Sequence, residues 1–96
     1  MDKLTFEWDD NKNNTNLFKH GISFEEAQTV FFDDNAIEFD DPDHSINEER
    51  FLLLGFSYQF KILVVCYCYR GEESIIRISS ARKATQGEQQ AYLKRV

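Results

Sequence analysis

The chain has 96 residues, 42% of them hydrophobic and 15% aromatic, which makes one domain over 1–96 and excludes a chain disordered throughout. No apolar run approaches the ~20 residues of a membrane helix, Met1-Asp2-Lys3 opens no signal-peptide stretch, and Cys66 and Cys68 cannot build a disulfide framework, so a cytoplasmic, reducing home is expected. The net charge of −6 argues against a nucleic-acid partner, but residues 1–49 hold 14 of the 17 acids against three bases, and residues 50–96 hold eight bases against three acids, so one half can meet a basic partner while the other meets an acidic one.

In chain order, Leu4 to Trp8 alternates apolar and polar residues and reads as a short strand. Asp9 or Asp10 can cap a helix that carries Lys12, Leu17, Phe18, Lys19 and His20, because a short carboxylate accepts the first-turn amide protons. Gly21 ends it where a positive φ is wanted, which leaves Lys19 and His20 in the last turn, favourable to the helix dipole. Ser23 and Glu26 form a capping box for a second helix, with Phe24, Ala27, Val30 and Phe31 as its apolar stripe. Ala36 to Asp40 is a short edge strand, and the run Asp40 to Ser45 around Pro42 is a loop. Glu49–Ser57 and Lys61–Tyr69 are strands joined through Tyr58-Gln59-Phe60. Ile62 to Tyr67 is apolar on both faces, as a central strand is. Arg70 to Glu73 is a turn, and Ser74 to Ala81 is the next strand. Thr85 and Glu88 cap a last helix, which Gly87 weakens slightly. The order β-α-α, then an antiparallel β-meander, then α gives an α+β domain with helices segregated from the sheet.

Chemistry-bearing residues follow from that frame. Strand parity puts Ile76 and Ile78 on a core face and Arg77 with Ser79 on the other, with Arg82 just past the strand end and Arg50 opening an earlier strand. Three guanidinium groups on one concave surface would bind phosphate in forks and stabilise transition-state charge. The alternative is a salt bridge from each to the acidic half. His20 can act as general acid or base near neutral pH, or simply as a helix-end cation, and Lys19 carries the same ambiguity. Asp40, Asp41, Asp43 and His44 could hold a divalent ion, although solvated turn carboxylates explain them as well. Cys66 and Cys68, without a second pair, read as small core residues rather than zinc ligands. Tyr92 reads as a packing aromatic, Lys94 and Arg95 as a solvated helix end, and Trp8 as core or as an anchor at a binding surface.

One ordered set of motifs then spans about Thr5 to Tyr92. It comprises Phe6-Glu7-Trp8-Asp9, Asn16, Lys19-His20-Gly21, Ser23-Phe24-Glu25-Glu26-Ala27, Asp41-Pro42-Asp43-His44-Ser45, Glu49-Arg50-Phe51, Val64-Val65 with Tyr67, Arg70-Gly71, and Arg77 to Ala84. The set resembles the BrnT toxins of bacterial type II toxin–antitoxin pairs. The resemblance implies a RelE-like fold and a ribonuclease that needs no metal or cofactor, inhibits translation, and uses the RNA 2′-hydroxyl to leave a 2′,3′-cyclic phosphate. It implies a BrnA-like ribbon-helix-helix antitoxin that neutralises the toxin and, with it, represses the operator DNA. It places Arg50, Arg77 and Arg82 on phosphate-binding positions, Lys19, His20 or Glu49 on proton transfer, and Lys83, Tyr92, Lys94 and Arg95 along the RNA path. Two other readings stay open: a non-catalytic partner and co-repressor, and a metal-dependent phosphodiesterase using Asp41, Asp43 and His44.

Overall fold

Short strands and polar helices leave the sheet to carry the architecture. The computed structural model describes residues 4–44, 48–72 and 74–95, the side chain of His44 excepted. Strands β1 (Thr5–Glu7), β2 (Ile37–Asp40), β3 (Phe51–Phe56), β4 (Ile62–Arg70) and β5 (Ile75–Lys83) form one sheet in the order β1-β5-β4-β3-β2. Strands β2 to β5 pair antiparallel in sequence, and β1 joins β5 in parallel, pairing Thr5–Glu7 with Ile75–Arg77. The sheet is therefore mixed. Helices α1 (Asp10–His20), α2 (Phe24–Ala27) and α3 (Gln86–Arg95) complete the α+β structure. No helix among the described residues is long and apolar enough to cross a membrane.

The two faces of the sheet have separate cores. Ile22, Phe24, Ala27 and Val30 pack on Leu63, Val65, Tyr67 and Ile78 of one face. Tyr92 and Ala84 pack on Leu54 and Val64 of the other. The capping chemistry expected from the sequence is present. Asp9 accepts from the Lys12 amide at 3.0 Å, and Gly21 closes α1 at φ +71. Thr85 and Glu88 exchange both bonds of a capping box, at 2.8 and 3.2 Å. Ser23 completes only half of one. It accepts from the Glu26 amide, while the buried Glu26 carboxylate accepts from the Ser57 hydroxyl at 2.6 Å and so ties α2 to the β3–β4 turn. The second helix is also shorter than its apolar stripe indicates. After Ala27 the chain tightens into a 3-10 segment, Gln28–Phe32.

Helix α1 has no apolar stripe, and only Asn16 on it is buried. Amide side chains dock it instead. Beyond Arg77, β1 no longer covers β5, and the Asn16 carboxamide takes the place of a neighbouring strand. It donates to the carbonyls of Ala81 and Ile22 at 2.8 Å each and accepts from the Ala81 amide at 3.1 Å. Asn13 accepts from the Phe24 amide at 2.8 Å, which fixes the helix against α2.

Helix α3 buries one described side chain, the Tyr92 phenol. Tyr92 is 1% exposed and donates to Asp33 at 2.5 Å, whose carboxylate also accepts from the Phe56 amide at 2.9 Å. Gly55 makes room for that carboxylate: a Cβ there would stand 2.9 Å from Asp33 Oδ2 and 3.0 Å from Val30. Burial pushes Asp33 up, but the bonds from Tyr92, Phe56 and Asn35 outweigh it and hold the carboxyl below its usual 3.8. Burial and the bond to Asp33 push Tyr92 up to about 12.

Two outcomes follow. Asn16→Ala leaves the Ala81 and Ile22 groups without partners and should cost roughly 3 kcal/mol in chemical denaturation. A cost under about 1 kcal/mol would show that α1 is held by something else. Tyr92→Phe should cost about 1–2 kcal/mol. Because the folded Asp33 carboxyl is more acidic than the unfolded one, its contribution is complete above the ordinary value and fades as pH falls through the folded one. Acid titrations of stability should therefore be shallower in Tyr92→Phe than in the wild type.

Candidate ribonuclease cleft

A bulge in β5 shapes the site. Tyr67 of β4 faces Ile78, but Cys66 faces Ser80, so Ser79 is an extra residue in the ladder. The parity expected from alternation therefore changes at Ser79. Ile76, Ile78 and Ala81 all reach the core of the first face. Ser80 and Arg82 line a cleft with Arg50, Leu52 and Cys66. Arg82 belongs to β5 itself, where the sequence placed it just past the strand end. The bulge is pinned by the Ser79 hydroxyl, which donates to the Cys66 carbonyl at 3.2 Å and accepts from Arg50 at 3.3 Å.

The cleft has an open volume of about 440 Å³, reaching Lys12 on α1. A lobe of about 360 Å³ continues past Lys12 and Ser79–Ser80 to Lys19 and His20. His20 also stands over the strip formed by Leu52, Cys66, Ser80 and Arg82. Four cationic side chains and one imidazole thus border neighbouring hollows that share Lys12, Ser79 and Ser80 as lining. Among the described residues one acid lines the cleft, Asp41, 8% exposed and within 3.7 Å of the Cys66 thiol. Helix α3 covers Leu54 and Val64 at the other end of this sheet face, which is why the part over Leu52 and Cys66 stays open.

Arg82 is oriented by an acid of α3. It donates to both Glu88 oxygens, at 2.7 and 3.0 Å, and to the Lys83 carbonyl at 3.3 Å. The Arg82 bonds, ahead of a counteracting burial effect, hold the Glu88 carboxyl down at about 2, so this pair stays charged at any physiological pH. A guanidinium has five N–H donors. Three are used by partners among the described residues, which leaves two. Arg50 lies 3.7 Å from Glu48.

The sequence candidates separate under this geometry. Lys19, His20, Arg50 and Arg82 come together. Arg77 does not join them. It bonds Glu7 on β1 at 2.8 Å, and that hydrogen bond, more than the ion-pair attraction, raises its already high pKa. Glu49 is exposed and borders a different hollow, with Phe51, Tyr69 and Arg70. Lys83 lies in a groove with Phe60 and Leu93. Tyr92 is a core residue bonded to Asp33, and its burial removes it from the RNA path expected of it. Lys94 and Arg95 are exposed at the end of α3. Among the described residues no three His, Cys, Asp or Glu side chains cluster as metal ligands, and both cysteines are free and buried. The sequence reading missed Lys12 and the two serines. The Ser79-Ser80 pair was visible between Arg77 and Arg82, but nothing local marks a bulge.

The profile of the family described as "Ribonuclease toxin, BrnT, of type II toxin-antitoxin system" matches residues 8–88. No curated protein gives a significant match. Among solved structures, the crystal structure of the Brucella abortus ribonuclease toxin BrnT aligns with a TM-score of 0.67 at 23% identity, covering 88% of this chain and 100% of that one. At that identity the likeness speaks for the fold. The family match takes in every residue of the cleft from Lys12 to Glu88, and on it the chain belongs to the BrnT family of ribonuclease toxins of type II toxin–antitoxin systems.

Proposed function

We propose that the cleft at the β5 bulge is the ribonuclease site of this toxin and that it cleaves RNA without a metal ion. The observation that carries this reading is the gathering of Lys12, Lys19, His20, Arg50 and Arg82 around Ser79–Ser80 in a chain whose net charge is −6. Cations converge there from α1, β5 and the segment before β3, as a polyanion demands. Arg50 and the two free donors of Arg82 would fork the scissile phosphate and take up charge as it develops. The RNA 2′-hydroxyl would lose its proton to a base at the lobe. Its oxygen would then attack phosphorus, the bond from phosphorus to the 5′-oxygen would break, and the leaving oxygen would take a proton. His20 is the group suited to one of these transfers and Lys19 to the support of the other. The products would be a 2′,3′-cyclic phosphate and a 5′-hydroxyl.

On this reading Arg77 and Glu49 are outside the chemistry, and Lys94 and Arg95 would at most steer RNA towards the cleft. The chain would be one RelE-like cytoplasmic domain, 1–96, that inhibits translation by RNA cleavage. A BrnA-like ribbon-helix-helix antitoxin would neutralise it, and operator DNA would be reached through that antitoxin. The pairing of Arg77 with Glu7 and of Arg82 with Glu88 favours one second reading, a non-catalytic partner that only co-represses with its antitoxin.

Purified protein assayed on single-stranded RNA in EDTA separates the two. Wild type should cleave and leave cyclic phosphate ends, visible by mass spectrometry. Arg82→Ala and Arg50→Ala should each lose about 10²–10³ in rate, and His20→Ala about 10²-fold or more. Arg77→Ala should stay within a few-fold of wild type. An Arg77→Ala loss as deep as that of Arg82→Ala would move the site off the cleft. Absence of cleavage with purified ribosomes as well as free RNA would favour the co-repressor.

A further inference from the structure

Two costs meet at Phe60, a strained backbone and an exposed ring. The β3–β4 connection holds this residue at φ +62, the left-handed region that a bulky side chain enters only with strain. Its ring is 86% exposed, so the strain secures no packing. The turn is nevertheless firmly built. The Phe60 amide donates to the Ser57 carbonyl at 2.9 Å, the Ser57 hydroxyl donates to buried Glu26 at 2.6 Å, and the Tyr58 amide donates to Thr29 at 2.9 Å. The phenyl ring is therefore presented on a rigid support, which lowers the ordering cost of anything that binds it.

Beside the ring lies a groove of about 380 Å³ with Phe56, Ile62 and Leu93 as its apolar lining and Lys61 and Lys83 at its sides. Leu93 is itself 51% exposed. No acid lines the groove among the described residues. Lys61 lies 3.6 Å from Glu26, and Lys83 has no side-chain partner among the described residues. We propose that this groove docks the antitoxin through an amphipathic segment of acidic character. An apolar side chain of that segment seats against Phe60 and Leu93, and its carboxylates meet Lys61 and Lys83. The inference rests on the toxin–antitoxin reading of the chain. RNA suits the groove less well. One exposed ring is a poor stacking platform for successive bases, and the clustered cations that hold phosphates lie in the other cleft.

The test uses the full chain and its cognate antitoxin, with affinity read by calorimetry. Phe60→Gly removes the ring and suits the positive φ, so the fold is retained, and Lys83→Glu reverses the unpaired charge at the surface. Each should weaken antitoxin binding by about tenfold or more, while Phe60→Gly leaves RNA cleavage unchanged. Phe18→Ser, which removes a ring 91% exposed on α1, should bind the antitoxin as wild type does. Wild-type affinity in both Phe60→Gly and Lys83→Glu overturns the proposal. Weakened RNA binding with intact antitoxin binding also overturns it and gives the groove to RNA. If wild type cleaves no RNA yet Phe60→Gly still loses the antitoxin, the ribonuclease site falls and the docking groove stands.

Discussion

The candidate site depends on how an open sheet edge is closed. Strand β1 pairs with only three residues of β5, Ile75 to Arg77. Past that point the Ala81 amide and carbonyl would face solvent or an apolar surface unpaired, and a buried unpaired backbone group costs about 1–3 kcal/mol. Asn16 supplies both missing partners from a helix. Its third bond, to the Ile22 carbonyl, reaches past the Gly21 cap. One carboxamide thus fixes both the depth and the rotation of α1. That rotation aims Lys12, Lys19 and His20 at the bulge. A helix docked by an apolar stripe could slide by a fraction of a turn at little cost, but one docked by a three-bond amide cannot, because the geometry of hydrogen bonds is narrow.

The bulge and the amide work together. Without the extra residue at Ser79, Ala81 would share the face of Arg77, and Arg82 would point into the core beneath α1. With it, Ala81 enters that core at 1% exposure and Arg82 stands in the cleft. Ser79 holds the distortion in place by bonding the Cys66 carbonyl, and by accepting from Arg50 it also ties the second guanidinium to the same spot. Bulges recur where a strand must re-aim a side chain next to a site. Here the effect is to bring Arg50 and Arg82, 32 positions apart in sequence, to one floor.

Local physics was legible in the sequence, and long-range physics much less so. The Asp9, Gly21 and Thr85–Glu88 caps read correctly because a cap is decided within four residues. The α+β class and the strand positions followed from hydrophobic period, with ends shifted by a residue or two. The family motifs brought out Lys19, His20, Arg50 and Arg82 together. Other features had no local sign. Alternation could not show the bulge, since Ser79 and Ser80 are both small and polar. The residue pattern read Tyr92 as a packing aromatic, as its burial shows, but the phenol's partner, Asp33, lies 59 positions away and had no local sign. The bond from Arg77 to Glu7 spans 70 positions. The capping box at Ser23 was half right, because Glu26 had a buried partner on a distant turn.

On the proposed ribonuclease site, the same long-range pairing would let an acidic chain offer a surface to RNA. Acids of the first half meet bases of the second at Glu7–Arg77, Glu26–Lys61 and Glu48–Arg70, so part of the charge split is neutralised within the fold. Much of what remains is sorted by place. The carboxylates of Asp34, Asp40 and Asp43 lie outside the cleft lining, whereas Lys12, Lys19, Arg50 and Arg82 lie on it with one acid, Asp41, among the described residues. At physiological ionic strength charges are screened over about 8 Å. A phosphate entering the cleft therefore responds mainly to the cations that touch it, and acids further away than that act weakly. At the proposed site, net charge would bear on how fast RNA arrives from bulk solution, while the local set would decide whether it stays. An acidic protein with a basic cleft is consistent on these terms, and its slow electrostatic approach to free RNA would favour substrates already held in place by something else.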